Sequence, residues 1–125
     1  MEVRFRDLDA LGHVNNAVLL TYVEQARLRW WEDFLLGRSF KDHGFLIART
    51  EIDYRKPIFF HDSIRVELRC HQIGTSSFSL GFLVLREKDD VVLAEGQTVQ
   101  VMLDFKTNRP RPISDEAQIW LKAQG

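Results

Sequence analysis

From Asn16 to Leu36 the chain carries neither Gly nor Pro, and Gly37 follows as a natural helix stop. Leu19, Val23, Ala26, Trp30 and Phe34 recur there at helical spacing, while Val18, Leu20, Tyr22, Leu28, Trp31 and Leu35 spread apolar character around most of the remaining circumference. A helix this apolar is expected to be wrapped by other elements instead of lying on a surface.

The rest of the chain changes to a period of two. Ala48, Thr50, Ile52 and Tyr54 alternate with Arg49, Glu51, Asp53 and Arg55 until Pro57. Ile64, Val66, Leu68 and Cys70 alternate with Arg65, Glu67, Arg69 and His71 until Gly74. Both runs predict half-buried strands with one face on a core. Phe78 to Arg86 and Val91 to Phe105 read as more apolar strands joined by the turn Glu87-Lys88-Asp89-Asp90. Gly96 is expected to mark a bulge or bend in the longer one. Residues 2–8 alternate loosely and predict a short strand, and Ser114 caps a short last helix with Asp115 and Glu116 in its first turn. A curled antiparallel sheet of about five strands around one long helix satisfies this order, which makes residues 1–125 a single α+β domain.

Composition bounds the function. Of 125 residues, 45% are hydrophobic and 28% charged, which suits a chain that buries about two-thirds of its unfolded surface. No apolar run approaches the roughly 20 residues that cross a bilayer, and Met1 opens onto charged sequence, so neither a membrane span nor a secretory precursor is expected. With 17 Lys and Arg against 18 Asp and Glu, no basic field invites nucleic acid. The single cysteine, Cys70, has no internal disulfide partner, which fits a reducing, cytoplasmic compartment. It falls on the inward parity of its strand as a small core residue. His13, His43, His61 and His71 lack zinc-like spacing with one another or with Cys70, so no metal site is expected. Neither a Gly-rich phosphate loop nor a nucleophile-elbow serine occurs.

The segment Asp7-Leu8-Asp9-Ala10-Leu11-Gly12-His13-Val14-Asn15-Asn16 places two carboxylates, a histidine and two amides at the entrance to the long helix. A helix N-terminus offers unpaired N–H groups and a partial positive charge that can polarise a carbonyl and hold an oxyanion. A nearby carboxylate supplies a nucleophile or a base. Spacing alone equally allows ordinary capping, with Asn15 or Asn16 as N-cap, Asp9 in a turn and His13 hydrogen-bonded in a loop. Asp7 and Asp9 share a strand face, so periodicity does not choose between them.

Asp9-Ala10-Leu11-Gly12-His13-Val14-Asn15-Asn16-Ala17, followed by Tyr22-Val23-Glu24-Gln25-Ala26-Arg27, resembles the signature of hotdog-fold acyl-CoA thioesterases of the 4-hydroxybenzoyl-CoA thioesterase type. The likeness continues through Ile52-Asp53-Tyr54-Arg55-Lys56-Pro57-Ile58 and Gly74-Thr75-Ser76-Ser77-Phe78, covering roughly residues 3–105. It implies a hotdog fold, an acyl-CoA substrate, no metal or organic cofactor, and a homodimer or a tetramer of paired dimers with sites at the subunit interface. By position, Asp9 matches the catalytic carboxylate, as nucleophile or as base to a water. The N–H of Asn16 matches the thioester-polarising donor, and His13 matches a positioning or proton-handling group. Gly12, Asn15 and Ser77 match substrate-binding positions. Two departures stand out: Leu19 and Leu20 replace a tyrosine common after the Asn pair, which implies a greasier acyl pocket. Gly74, Thr75 and Ser76 also carry no charge before Ser77, so phosphate contacts fall to Arg49, Arg55 or Lys56, or to Lys106, Arg109 and Arg111. The competing readings are an acyl-CoA-binding module that does not cleave its ligand, and a hotdog hydratase or dehydratase, whose histidine-proline or aspartate-asparagine-proline signatures are missing.

Overall fold

The computed structural model describes residues 1–125. Helix α1 spans Asn16–Leu35 and starts where the sequence supplies a cap: the Asn15 side-chain oxygen accepts from the Ala17 N–H at 2.8 Å. It ends as Gly37 adopts a positive φ of 76°. Its buried line runs Leu19, Tyr22, Val23, Arg27, Trp31 and Phe34. Thr21, Glu24, Gln25, Leu28 and Arg29 stay open to solvent, so within one chain the sheet curls around the helix on one side.

A short helix α2 (Phe40–His43) leads into strands β1 (Phe45–Tyr54), β2 (Ile64–Ile73), β3 (Ser77–Arg86), β4 (Val92–Asp104) and β5 (Arg109–Pro110), and α3 (Asp115–Lys122) closes the chain. Every pairing is antiparallel, in the order β1-β4-β3-β2 with β5 beside β4. This is the hotdog arrangement of a long helix in a curled sheet. Ser114 caps α3 as expected, its Oγ accepting from the Ala117 N–H.

Two apolar clusters lie between α1 and the sheet. Leu19, Tyr22 and Val23 pack with Ile58, Ile64, Phe82, Val84 and Ala94 under the first half of the helix. Trp31 and Phe34 pack with Cys70, Phe78, Leu80, Met102, Ala117 and Leu121 under the second half, where Trp30 and Trp120 complete an aromatic group. Each fully buried side chain of this size stabilises the fold by about 1.5–3 kcal/mol. Buried Arg27 on α1, and Thr98 and Gln100 on β4, fall between the two clusters along their elements.

Three expectations require correction. Residues 2–8 are not a strand: Phe5–Asp7 form a 3-10 turn, and only Glu2 and Leu8 make isolated bridges, to Ser63 and Val14. The turn wins because the Asp7 carboxylate bonds back to Arg4, closing it from within. β1 is exposed along most of its length and not half-buried, because it is a sheet edge that runs past the cover of α1. A bulge at Ala48 also resets its parity, so Phe45 and Ile47 face inward before it and Thr50, Ile52 and Tyr54 after it. Gly96 is not a bulge, since it pairs in register with both Ile52 and Phe82. A Cβ there would strike the Glu51 carbonyl and the Phe82 ring, so close approach is what demands glycine.

Candidate active site

The loop between the 3-10 turn and α1 is built by its own residues. The Asp9 N–H donates to the His13 carbonyl at 2.7 Å, and Asp9 Oδ1 accepts from the N–H groups of Leu11 (2.8 Å) and His13 (3.1 Å). Gly12 sits at φ +80° with open space where a Cβ would be, so the turn requires it. Asp9 therefore does occupy a turn, yet only one of its oxygens is spent. Oδ2 accepts no bond from the chain, and the side chain is exposed.

Asp7 has the opposite environment. It is 2% exposed, and its carboxylate accepts from the Tyr22 hydroxyl and from Arg4, whose Nη2 lies 3.1 Å from Oδ1. Burial alone would push this carboxyl up, but the bonds from Arg4 and Tyr22 outweigh it and hold it below its usual value. Structure thus separates the two aspartates that periodicity left equivalent.

Asp9, His13 and Asn16 line one cleft of about 330 Å³ with Val14, Leu19, Tyr54, Arg55, Lys56, Pro57 and Ile58. The Asn16 N–H opens α1 and donates to nothing in the chain, while Ala17 is taken by the Asn15 cap and Val18 and Leu19 by the Asn15 carbonyl. A residue with an unpaired N–H at the positive end of a long helix thus lines the same cleft as an aspartate with one unspent carboxylate oxygen. The His13 ring packs edge-on to Phe59 at 5.1 Å.

Other candidates lie elsewhere. Gly12 and Asn15 shape the loop and the cap but do not line the cleft. Ser77 begins β3 opposite Val101, roughly 20 Å along the strand from Val84 at about 3.3 Å per residue, and on the sheet face turned away from α1. Of the cations, Arg49 pairs with Glu51 and Arg55 with Glu95. Lys56 makes no ion pair and lines the cleft, whereas Lys106 and Arg111 line another, with Ser39 and Phe105. Tyr54 also walls its own chain's site, which the sequence reading does not anticipate. Its hydroxyl donates to the Asn16 carbonyl at 3.3 Å, through a pairing of strand and helix that leaves no local signal. A larger cleft on the far face of the sheet is lined by Glu51, Asp53, Glu67, Arg69, Glu95 and Gln97 and has no helix terminus. No three His, Cys, Asp or Glu side chains converge to hold a metal ion.

Residues 3–121 match the family model described as the thioesterase-like superfamily. The chain belongs to that superfamily. A crystal structure of a thioesterase from Thermus thermophilus, complexed with coenzyme A and zinc, superposes on this thioesterase with a TM-score of 0.85 and 38% identity, covering 99% of this chain and 90% of that one. The 1,4-dihydroxy-2-naphthoyl-CoA hydrolase of Thermosynechococcus vestitus is 33% identical over 97% of the thioesterase and 85% of its own length. The long-chain acyl-CoA thioesterase FadM of Escherichia coli is 27% identical over 93% and 89%.

Proposed function

We propose that residues 1–125 form one hotdog domain that hydrolyses an acyl-CoA thioester to a free acid and coenzyme A. The observation that carries this reading is that Asp9, with Oδ2 unspent, and Asn16, with its N–H unpaired, line one cleft. A thioester carbonyl bound there turns its oxygen to the Asn16 N–H and its carbon to Asp9. On one route the carboxylate adds to the carbon, the tetrahedral intermediate expels the CoA thiolate, and water cleaves the mixed anhydride. On the other, Asp9 takes a proton from water as the water adds. Charge develops on the carbonyl oxygen in both, so the helix terminus serves either; one such donor is worth about 2.7–4 kcal/mol of barrier. His13 orients the loop or handles a proton. Neither route uses a metal or an organic cofactor.

Val14, Leu19 and Ile58 give the cleft apolar walls for the acyl group, and the unpaired Lys56 ammonium at its side suits a CoA phosphate. The similarity to hydrolases of both aromatic and long-chain acyl-CoAs supports acyl-CoA as the substrate class. We infer a homodimer, alone or doubled into a tetramer. The exposed β1 edge supports it, and so does Ser77, which lies far from its own cleft and would serve the neighbouring subunit's. No helix is long and apolar enough to cross a membrane, and the lone buried Cys70 suits the cytoplasm.

The test is thiol release from acetyl-, palmitoyl- and benzoyl-CoA, followed with a thiol reagent. Burial pushes the Cys70 thiol up and shields it, which keeps it out of the signal. Hydrolysis of at least one ester is expected. Binding of all three without release would make the protein an acyl-CoA-binding module, and Asp9 a turn residue only.

A further inference from the structure

The mechanism above uses Asp9 and leaves the buried carboxylate two residues earlier without a task. Asp7 is tied on every side. Its Oδ2 accepts from the Tyr22 hydroxyl and from the Arg4 backbone N–H (3.0 Å) and Nε (3.2 Å), and its Oδ1 from Arg4 Nη2. Tyr22 belongs to the second turn of α1 and is itself buried. The Asp7 main chain is tied as well: its carbonyl accepts from the N–H of Asn15, the residue that caps α1, at 3.0 Å. One residue thus grips both stems of the loop, through its side chain to the helix body and through its carbonyl to the helix cap.

The tip of the loop it grips stands in solvent. Ala10, Leu11 and Gly12 are exposed, Leu11 at 79%, and Asp9 meets the chain only through local turn bonds. Val14 at the exit is buried, with its N–H bonded to the Ile58 carbonyl and His13 bridging Phe59. Leu8 at the entry packs against the first apolar cluster and bridges Val14. To these contacts Asp7 adds the directional polar tie between the entry stem and α1. A buried ion pair is an expensive way to gain stability alone, since apolar side chains of like volume do as well. It is an effective way to fix the register of two segments, because carboxylate bonds are directional.

We propose that Asp7 is a positioning residue: its carboxylate, held by Tyr22 and Arg4, locks the loop of residues 8–14 to α1 and so sets where Asp9 stands relative to the Asn16 N–H. This rests on the catalytic reading of Asp9 given above. A misplacement of about 1 Å at a reacting group can cost on the order of 100-fold in rate.

The experiment compares Tyr22→Phe, Asp7→Asn and Asp9→Asn with the wild type in thiol release from palmitoyl- and benzoyl-CoA and in amide hydrogen exchange. Tyr22→Phe is expected to lower kcat by about 10–100-fold with KM nearly unchanged. It should also speed exchange at Asp9, His13 and Asn15 while Val23 to Trp31 keep wild-type protection. Arg4→Gln, at a half-exposed side chain, is expected to move both readouts the same way and stands in should the buried variants fail to fold. Wild-type kcat in folded Tyr22→Phe and Arg4→Gln overturns the proposal. So does faster exchange spread evenly along α1, which is what a merely structural tie would give. Wild-type turnover by Asp9→Asn counts against the catalytic reading instead, and the exchange pattern then still decides whether Asp7 anchors the loop.

Discussion

Two aspartates two places apart sit in opposite environments, one surrounded and the other open to solvent. Asp7 is sealed under Tyr22 and Arg4, while Asp9 stands at the solvent edge of the cleft. Spacing could not separate them: both fall on one parity of a segment that reads as a strand and folds as a turn. The resemblance at residues 9–16 singled out Asp9, and only the folded chain gives Asp7 its partners. Tyr54 lines the cleft for a reason equally invisible in sequence, since at the end of β1 it meets Asn16 at the start of α1 from 38 positions away, whereas Lys56, a sequence candidate for a phosphate contact, lines the same cleft. The Asp7 environment has a pH consequence. Its folded value lies below the usual 3.8, so its contribution to stability is complete above about pH 4 and is lost as pH falls through the folded value. The difference in Tm between wild type and Asp7→Asn is therefore expected to be largest near neutrality and to shrink below about pH 4. Thermal melts between roughly pH 3 and 8 check this, and a difference that stays constant across the range speaks against the charged, bonded carboxylate.

Elements with local signals were legible and those set by long-range pairing were not. The limits of α1 followed from an asparagine cap at Asn15 or Asn16, the unbroken apolar run and Gly37, and the structure takes Asn15 as the cap and places the helix at Asn16–Leu35. β2, β3 and β4 followed from an alternation or apolar run that the sheet then uses. β1 carries the same alternation yet lies exposed, for nothing in its own sequence says that it is an edge or that Ala48 bulges. Gly96 was legible as special but not in kind. Because its missing Cβ makes room for the Glu51 carbonyl, which is backbone, the neighbour cannot swing aside. Gly96→Ala is expected to destabilise the protein by about 1–3 kcal/mol, read from urea unfolding. A change under about 0.5 kcal/mol would mean that β1 and β4 can part there at no cost.

At the scale of the whole molecule, one chain presents the candidate cleft and a sheet with an open edge. β1 leaves a row of unpaired backbone groups and exposes Leu46 at 51% and Tyr54 at 43%, a combination that invites strand pairing. If the proposed dimer pairs through that edge, the double variant Ile47→Lys and Thr50→Lys, which adds charge to the edge outside the cleft, is expected to sediment as a monomer and to release less thiol. A fully active monomer would place the complete site within one chain. The claim on which the rest depends is that the loop before α1 does the chemistry, and the most direct test is thiol release by Asp9→Asn beside the wild type on palmitoyl- and benzoyl-CoA, with circular dichroism and melting confirming the fold. A loss of about 10²–10⁴-fold in kcat in a folded variant is the expected result, while a folded Asp9→Asn that releases thiol at the wild-type rate would contradict it.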